Sequence, residues 1–169
     1  MIPLILLLAA ADPFADTNAK AVVLIFTRAD CPVSNRYAPE VTRIYSGYSN
    51  RGVKFWLVYP DRDATLADIE KHRAAYNYPI PAVQDRAHRL VARARAIVTP
   101  EAAVFIPAPG KGWQLVYRGR IDDRYVDFGK YRPAAERHDL EEVLGNVLAG
   151  KPLSFRETKA IGCAIADLR

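Results

Sequence analysis

The chain has 169 residues, half of them hydrophobic and a quarter charged, with a formal net charge of +5. That length holds one domain with a proper core, and the composition is neither that of a disordered chain nor of a fibrous one. The surplus arginines are scattered over the segments that read as helices, without a dense basic run, so they describe a solvated surface and not a nucleic-acid footprint.

Met1–Ala11 is an apolar run ending in Ala9-Ala10-Ala11. It resembles the apolar core and small-residue cleavage pattern of an export signal, although no basic residue precedes it, and it is too short to span a bilayer. Residues 1–11 therefore read as a signal segment or a packed N-terminal arm, residues 12–150 as the domain, and residues 151–169 as a tail carrying Cys163. Export would place the domain in an oxidising compartment. If residues 1–11 are not a signal, the domain is cytoplasmic.

Val22–Thr27 is a run of β-branched and aromatic residues, the pattern of a fully buried strand. After a short turn come Cys31 and Pro32, and then Tyr37, Val41, Ile44, Tyr45 and Tyr48 at helical spacing, which predicts a helix over 32–50. Pro32 suits the first helical position, Pro39 should kink the helix, and Asn50-Arg51-Gly52 should end it. Cys31 thus sits where a strand ends and a helix begins. The unpaired N–H groups and positive dipole end of that helix favour a thiolate there.

Val53–Tyr59 reads as a second buried strand. Thr65-Leu-Ala-Asp68 resembles a capping box opening a helix to about Tyr76, with Leu66, Ile69 and Ala74 inward. Tyr78–Val83 reads as extended, 86–96 as a third helix, 102–106 and 114–117 as a β-hairpin, 118–137 as a long irregular stretch, and 139–149 as a last helix. The tail from Lys151 shows no clear period. This order describes an α/β domain with a mixed sheet.

Two cysteines so far apart in sequence form neither a disulfide scaffold nor a zinc pattern. His72, His88 and His138 lack metal-ligand spacing and read as surface or capping residues, so the pattern calls for no metal and no cofactor.

Cys31-Pro32-Val33-Ser34 after a buried strand, Thr99-Pro100 before the penultimate strand, and the hairpin and helix that follow resemble the thioredoxin-like superfamily. More narrowly they resemble the redoxin domains grouped with alkyl hydroperoxide reductase/thiol-specific antioxidant proteins and exported thiol–disulfide oxidoreductases. Tyr117–Arg124, His138-Asp-Leu140 and Gly162-Cys163 are similar to a bacterial subgroup with a single-thiol Cys-Pro-x-Ser site. The resemblance implies a central mixed sheet flanked by helices with a C-terminal hairpin and helix. It also implies a cis Pro100 lying against a reactive Cys31.

Ser34 stands where the usual dithiol has its second cysteine, so an internal Cys31–Ser34 closure is excluded, while the hydroxyl can still donate to a Cys31 thiolate. Peroxidases of this group carry Thr three residues before the reactive cysteine. Here Arg28 holds that place and Thr27 lies one residue further off. From Gly150 the tail can extend roughly 40 Å to Cys163, enough to return to Cys31 without being obliged to. Cys163 is then a resolving thiol, a buried tail cysteine or an intermolecular link. Asp30 should raise the Cys31 pKa, and Arg28, Arg36 and the helix end should lower it, with a net depression expected.

The site residues read from the sequence are Cys31, Ser34, Thr99, Pro100 and Cys163. The function they imply is thiol–disulfide exchange with a protein or small-molecule thiol or disulfide. A thiol peroxidase acting on peroxide is the second enzymatic reading, and a non-catalytic thioredoxin-like binding module the third.

Overall fold

Strand β1 (Ala21–Phe26) is buried along its whole length, and the computed structural model, which describes residues 11–166 and 168, shows why. Ala21, Val23 and Ile25 point into one core cluster, and Val22, Leu24 and Phe26 into another on the opposite face of the sheet. A strand covered on both faces has no solvent side, so its sequence reads as an apolar run and not as an alternation. Apart from Ala11, the segment read as an export signal lies outside the described residues.

Around β1 the sheet has six strands in the order β3-β2-β1-β5-β6-β9. β2 (Val53–Tyr59) runs parallel to β1, β3 (Ala82–Gln84) parallel to β2, and β5 (Glu101–Ala108) antiparallel to β1. β6 (Gly112–Gly119) is the hairpin partner of β5. β9 (Arg156–Glu157) adds parallel to β6 from the tail. Helices α1 (Pro32–Tyr48) and α4 (Asp139–Leu148) cover one face, with Ile69 of α2 (Leu66–Ala75) at their side. Helix α3 (Arg89–Ala94), Phe14 and the tail residue Ile165 cover the other. This mixed sheet between helices is the α/β architecture expected from the chain order.

Four details differ from the sequence reading. Helix α3 is shorter at both ends. The Asp85 carboxylate accepts from Arg89 N and Val91 N, at 2.8 and 2.9 Å, and left-handed residues bound the helix at His88 and Arg95. In α2 the capping box of Thr65 and Asp68 forms as expected, but Leu66 and Ala74 face solvent, and the inward residues are Ile69 and His72. The stretch 118–137 carries a small hairpin of β7 (Tyr125–Asp127) and β8 (Lys130–Tyr131). The aperiodic tail pairs with the domain at two places, through β9 and then through β10 (Cys163–Ala164), which pairs with β4 (Val98–Thr99). Helix α1 runs unbroken through Pro39, and Gly52, in the left-handed region at φ 90°, ends the short 3₁₀ turn that follows it.

Candidate active site

Phe26 pairs with Glu101 across the β1–β5 ladder, so the C-terminal end of β1 and the start of β5 meet at one edge of the domain. Cys31 follows the first and Thr99-Pro100 precedes the second. Cys31 occupies the N-cap of α1 in an extended conformation, with Pro32 at the first helical position. The Thr99–Pro100 peptide is cis. The Cys31 thiol donates to the Thr99 carbonyl at 3.1 Å and has no solvent exposure.

The tail completes the site. Cys163 stands opposite Thr99 in the β10–β4 pair, Thr99 Oγ1 donates to the Cys163 carbonyl at 3.4 Å, and Ile165 N donates to the Ile97 carbonyl at 3.0 Å. Gly162 is what permits this approach. A Cβ at that position would lie 2.0 Å from the Thr99 carbonyl oxygen, so no other residue fits without moving the tail. Further back, a Cβ on Gly119 would lie 2.2 Å from Thr158 Oγ1, and that hydroxyl bonds both Tyr117 and the Arg120 N–H. Chain reach leaves the return of Cys163 open, and the structure makes that return. Cys31, Ser34, Thr99, Pro100 and Cys163 all fall in one place.

The hydrogen bonds around the two sulfurs are arranged for a thiolate on Cys31. Burial raises its pKa, but the side chains and backbone N–H groups of Cys163 and Ser34 outweigh burial, and the net shift is downward. Ser34 Oγ is fully buried and has no hydrogen-bond partner among the described residues while Cys31 is a thiol. For Cys163, burial and the neighbouring Cys31 push the pKa up to about 12. The two shifts run in opposite directions, so Cys31 is the more readily ionised of the pair.

The helix end acts as expected, through the backbone N–H of Ser34 in the first turn of α1, whereas the charged neighbours are not among the causes of the depression. Arg28 is paired with Asp30 at 3.0 Å and lies 3.9 Å from Asp61, so the charged neighbours offset one another. Arg36 stacks on the Tyr131 ring, 4.8 Å from its centroid. The donors that act on the sulfur are a hydroxyl, a thiol and two backbone N–H groups.

Two supporting groups escaped the sequence reading. Glu101 is buried, and its carboxylate accepts from Ile97 N at 2.7 Å and Val98 N at 3.4 Å, tying down the segment that leads into Thr99. His72 is not a surface residue. Its Nδ1 lies 2.7 Å from the Tyr59 hydroxyl and its Nε2 2.8 Å from Asn35 Oδ1. Burial holds Tyr59 protonated and His72 neutral, so Tyr59 donates to Nδ1, and the Nε2–H donates to Asn35. Asn35 in turn donates to the Ala29 carbonyl at 2.9 Å and fixes the turn before Cys31. The only signal in the sequence was the spacing of His72 three residues after Ile69.

Other clusters lie apart. A wide cleft among the described residues is lined by Arg62, Val91, Arg95, Ile97 and Arg118 and includes none of the five site residues. Glu40, Asp122 and His138 bring ligand-type atoms within 4.8 Å of one another. Both carboxylates are already engaged, Glu40 by the Arg43 guanidinium and Asp122 by the Tyr37 hydroxyl and Arg124 N.

Comparison with known proteins gives a family and a fold. Residues 13–119 match the AhpC/TSA family. The chain belongs to that family. No curated protein matches it. Among solved structures, this AhpC/TSA-family chain is similar to a hypothetical protein of Sinorhizobium meliloti, at 22% identity and a TM-score of 0.72, over 88% of this chain and 80% of the other. It is also similar to an uncharacterized conserved protein of Geobacillus kaustophilus, at 23% identity and a TM-score of 0.69, covering 88% and 77%. The thioredoxin domain of a thiol-disulfide oxidoreductase from Bacteroides vulgatus aligns at 16% identity and a TM-score of 0.53, over 77% and 81%. The fold is thioredoxin-like.

Proposed function

We propose that this AhpC/TSA-family chain is a thiol–disulfide oxidoreductase whose redox pair is Cys31 and the tail cysteine, Cys163. The observation that carries the reading is the pairing of Cys163 with Thr99, the residue whose carbonyl accepts from the Cys31 thiol at 3.1 Å.

The Cys31 thiolate attacks one sulfur of a disulfide R–S–S–R′, expelling R′–S⁻ and leaving R–S–S–Cys31. Burial and Cys31 itself are the causes that raise Cys163. Once Cys31 carries R–S it is neutral, its share of that rise ends, and Cys163 loses its proton more readily. The Cys163 sulfur then attacks Cys31 Sγ, R–S⁻ departs, and a Cys31–Cys163 disulfide remains. The substrate has gained two electrons and the protein has lost two. An external dithiol restores the pair. Cys163 thus takes the part that Ser34 cannot. Export is supported by the apolar segment 1–11 and fits this chemistry, because an oxidising compartment is where disulfides persist. No helix among the described residues is long and apolar enough to cross a membrane.

Tryptic mapping of the non-reduced protein tests the reading. After mild oxidation, peptide 29–36 should appear joined to peptide 160–169, two hydrogens lighter than their sum. Free peptides, or a Cys31 carried on to sulfinate with Cys163 still a thiol, would overturn it.

A further inference from the structure

The site that holds Cys31 is closed by the chain's own tail. Ile161 and Cys163 pack against the α1-side core, and Ile165 is buried among residues of the opposite face. Residues 161–165 therefore cross the edge of the domain over Cys31, bridging its two cores. Backbone pairing to Val98 and Thr99 and the Ile165–Ile97 hydrogen bond hold the crossing in place. Gly162 brings it into contact with the Thr99–Pro100 peptide.

Attack on a disulfide needs the second substrate sulfur in line behind the first, with the rest of the substrate on both sides. A sulfur with no exposure beneath a paired strand offers no such volume. A peroxide is two heavy atoms, and a brief local opening admits it. An extended polypeptide needs β10 stripped from β4 and Ile165 drawn out of its core.

We propose that residues 161–165 are a strap that sets the specificity of Cys31 by size, passing small oxidants and excluding polypeptide disulfides until it is released. This rests on Cys31 being the nucleophile, but not on Cys163 being its resolving partner.

The test uses Cys163→Ser, in which Cys31 is the only thiol, a hydroxyl replaces the Cys163 S–H, and no internal disulfide can form. Two rate constants are measured for Cys31. One is with hydrogen peroxide, which gives the sulfenate and water. The other is with a cysteinyl peptide joined to nitrothiobenzoate, which gives the mixed disulfide and the coloured thiolate. Adding Gly162→Ala places a Cβ where the Thr99 oxygen stands and displaces the strap. Hydrogen exchange at the Ile165 amide reports whether it has.

The ratio of peptide rate to peroxide rate cancels any common change in nucleophilicity. It should rise about tenfold or more in the double variant, as Ile165 and its backbone pairs no longer hold the strap. An unchanged ratio with the Ile165 amide exposed overturns the proposal. An Ile165 amide that stays protected overturns its steric basis. Cys31 inert to both reagents in both variants would sink the nucleophile and the strap together. A missing Cys31–Cys163 peptide in the wild-type map would sink only the resolving role.

Discussion

Ser34 looks like a loss when set against a dithiol site, yet its placement gives it a defined task. Its hydroxyl is buried and makes no hydrogen bond among the described residues, a condition that costs free energy and that a Cys31 thiolate, as an acceptor, would relieve. Ser34→Ala should therefore raise the midpoint of the Cys31 thiolate absorbance. The thiolate-dependent rate at neutral pH should fall roughly three- to tenfold, as expected on losing one hydrogen bond to a charged acceptor. An unmoved midpoint would remove Ser34 from the site. The same depression has a consequence for folding. The native state gives up the Cys31 proton at lower pH than the unfolded chain does. Its stabilising contribution is thus complete above the unfolded thiol pKa of about 8.5 and is lost as pH falls through the lower, native value. Urea unfolding of the reduced protein should show stability climbing through that window, and Cys31→Ser should flatten the climb.

At the scale of elements, β1, β2, the β5–β6 hairpin, α1 and the position of Cys31 were legible because they rest on local signals, a continuous apolar run, a proline at a helix start and a glycine at a helix end, whereas the place of Pro100 came from the family resemblance. The tail was not legible. Arg156-Glu157 and Cys163-Ala164 are too short for any period to register, and their pairing is dictated by distant partners. Asp139 is the main one. It has no exposure, and it holds Arg120 at 2.7 Å and Arg156 at 2.6 Å. Arg118 meanwhile joins Glu157 at 2.6 Å. His72 was misread for a related reason, since a polar residue reads as surface until both its partners are known. The ionic anchor gives a prediction. Arg156→Ala leaves Asp139 with Arg120 alone and should cost about 1–3 kcal/mol, with faster amide exchange at Thr158 before any change in the β1–β5 ladder. Loss of protection throughout the sheet at once would show that the tail does not open separately from the domain.

For the whole molecule, the proposed redox pair joins residues toward the two ends of the described chain, with most of the sheet and all of α1 to α4 in the loop between them. In the reduced form, closure of that loop depends on the tail's noncovalent contacts. In the oxidised form the Cys31–Cys163 bond would constrain the unfolded chain as well, an effect on the order of 4 kcal/mol for a loop exceeding a hundred residues. Stability should therefore track oxidation state. Unfolding free energies from urea titrations with and without a dithiol should differ by about that amount in the wild-type chain, and the midpoints should coincide in Cys163→Ser. Because the added stability arises mainly in the unfolded state, the separation should persist in Arg156→Ala even though the reduced form of that variant is weaker. Coincident midpoints in the wild-type chain, with the joined tryptic peptides present, would mean that the bond strains the native tail by as much as it restrains the unfolded one. A separation that survived in Cys163→Ser would instead place the redox-sensitive group elsewhere.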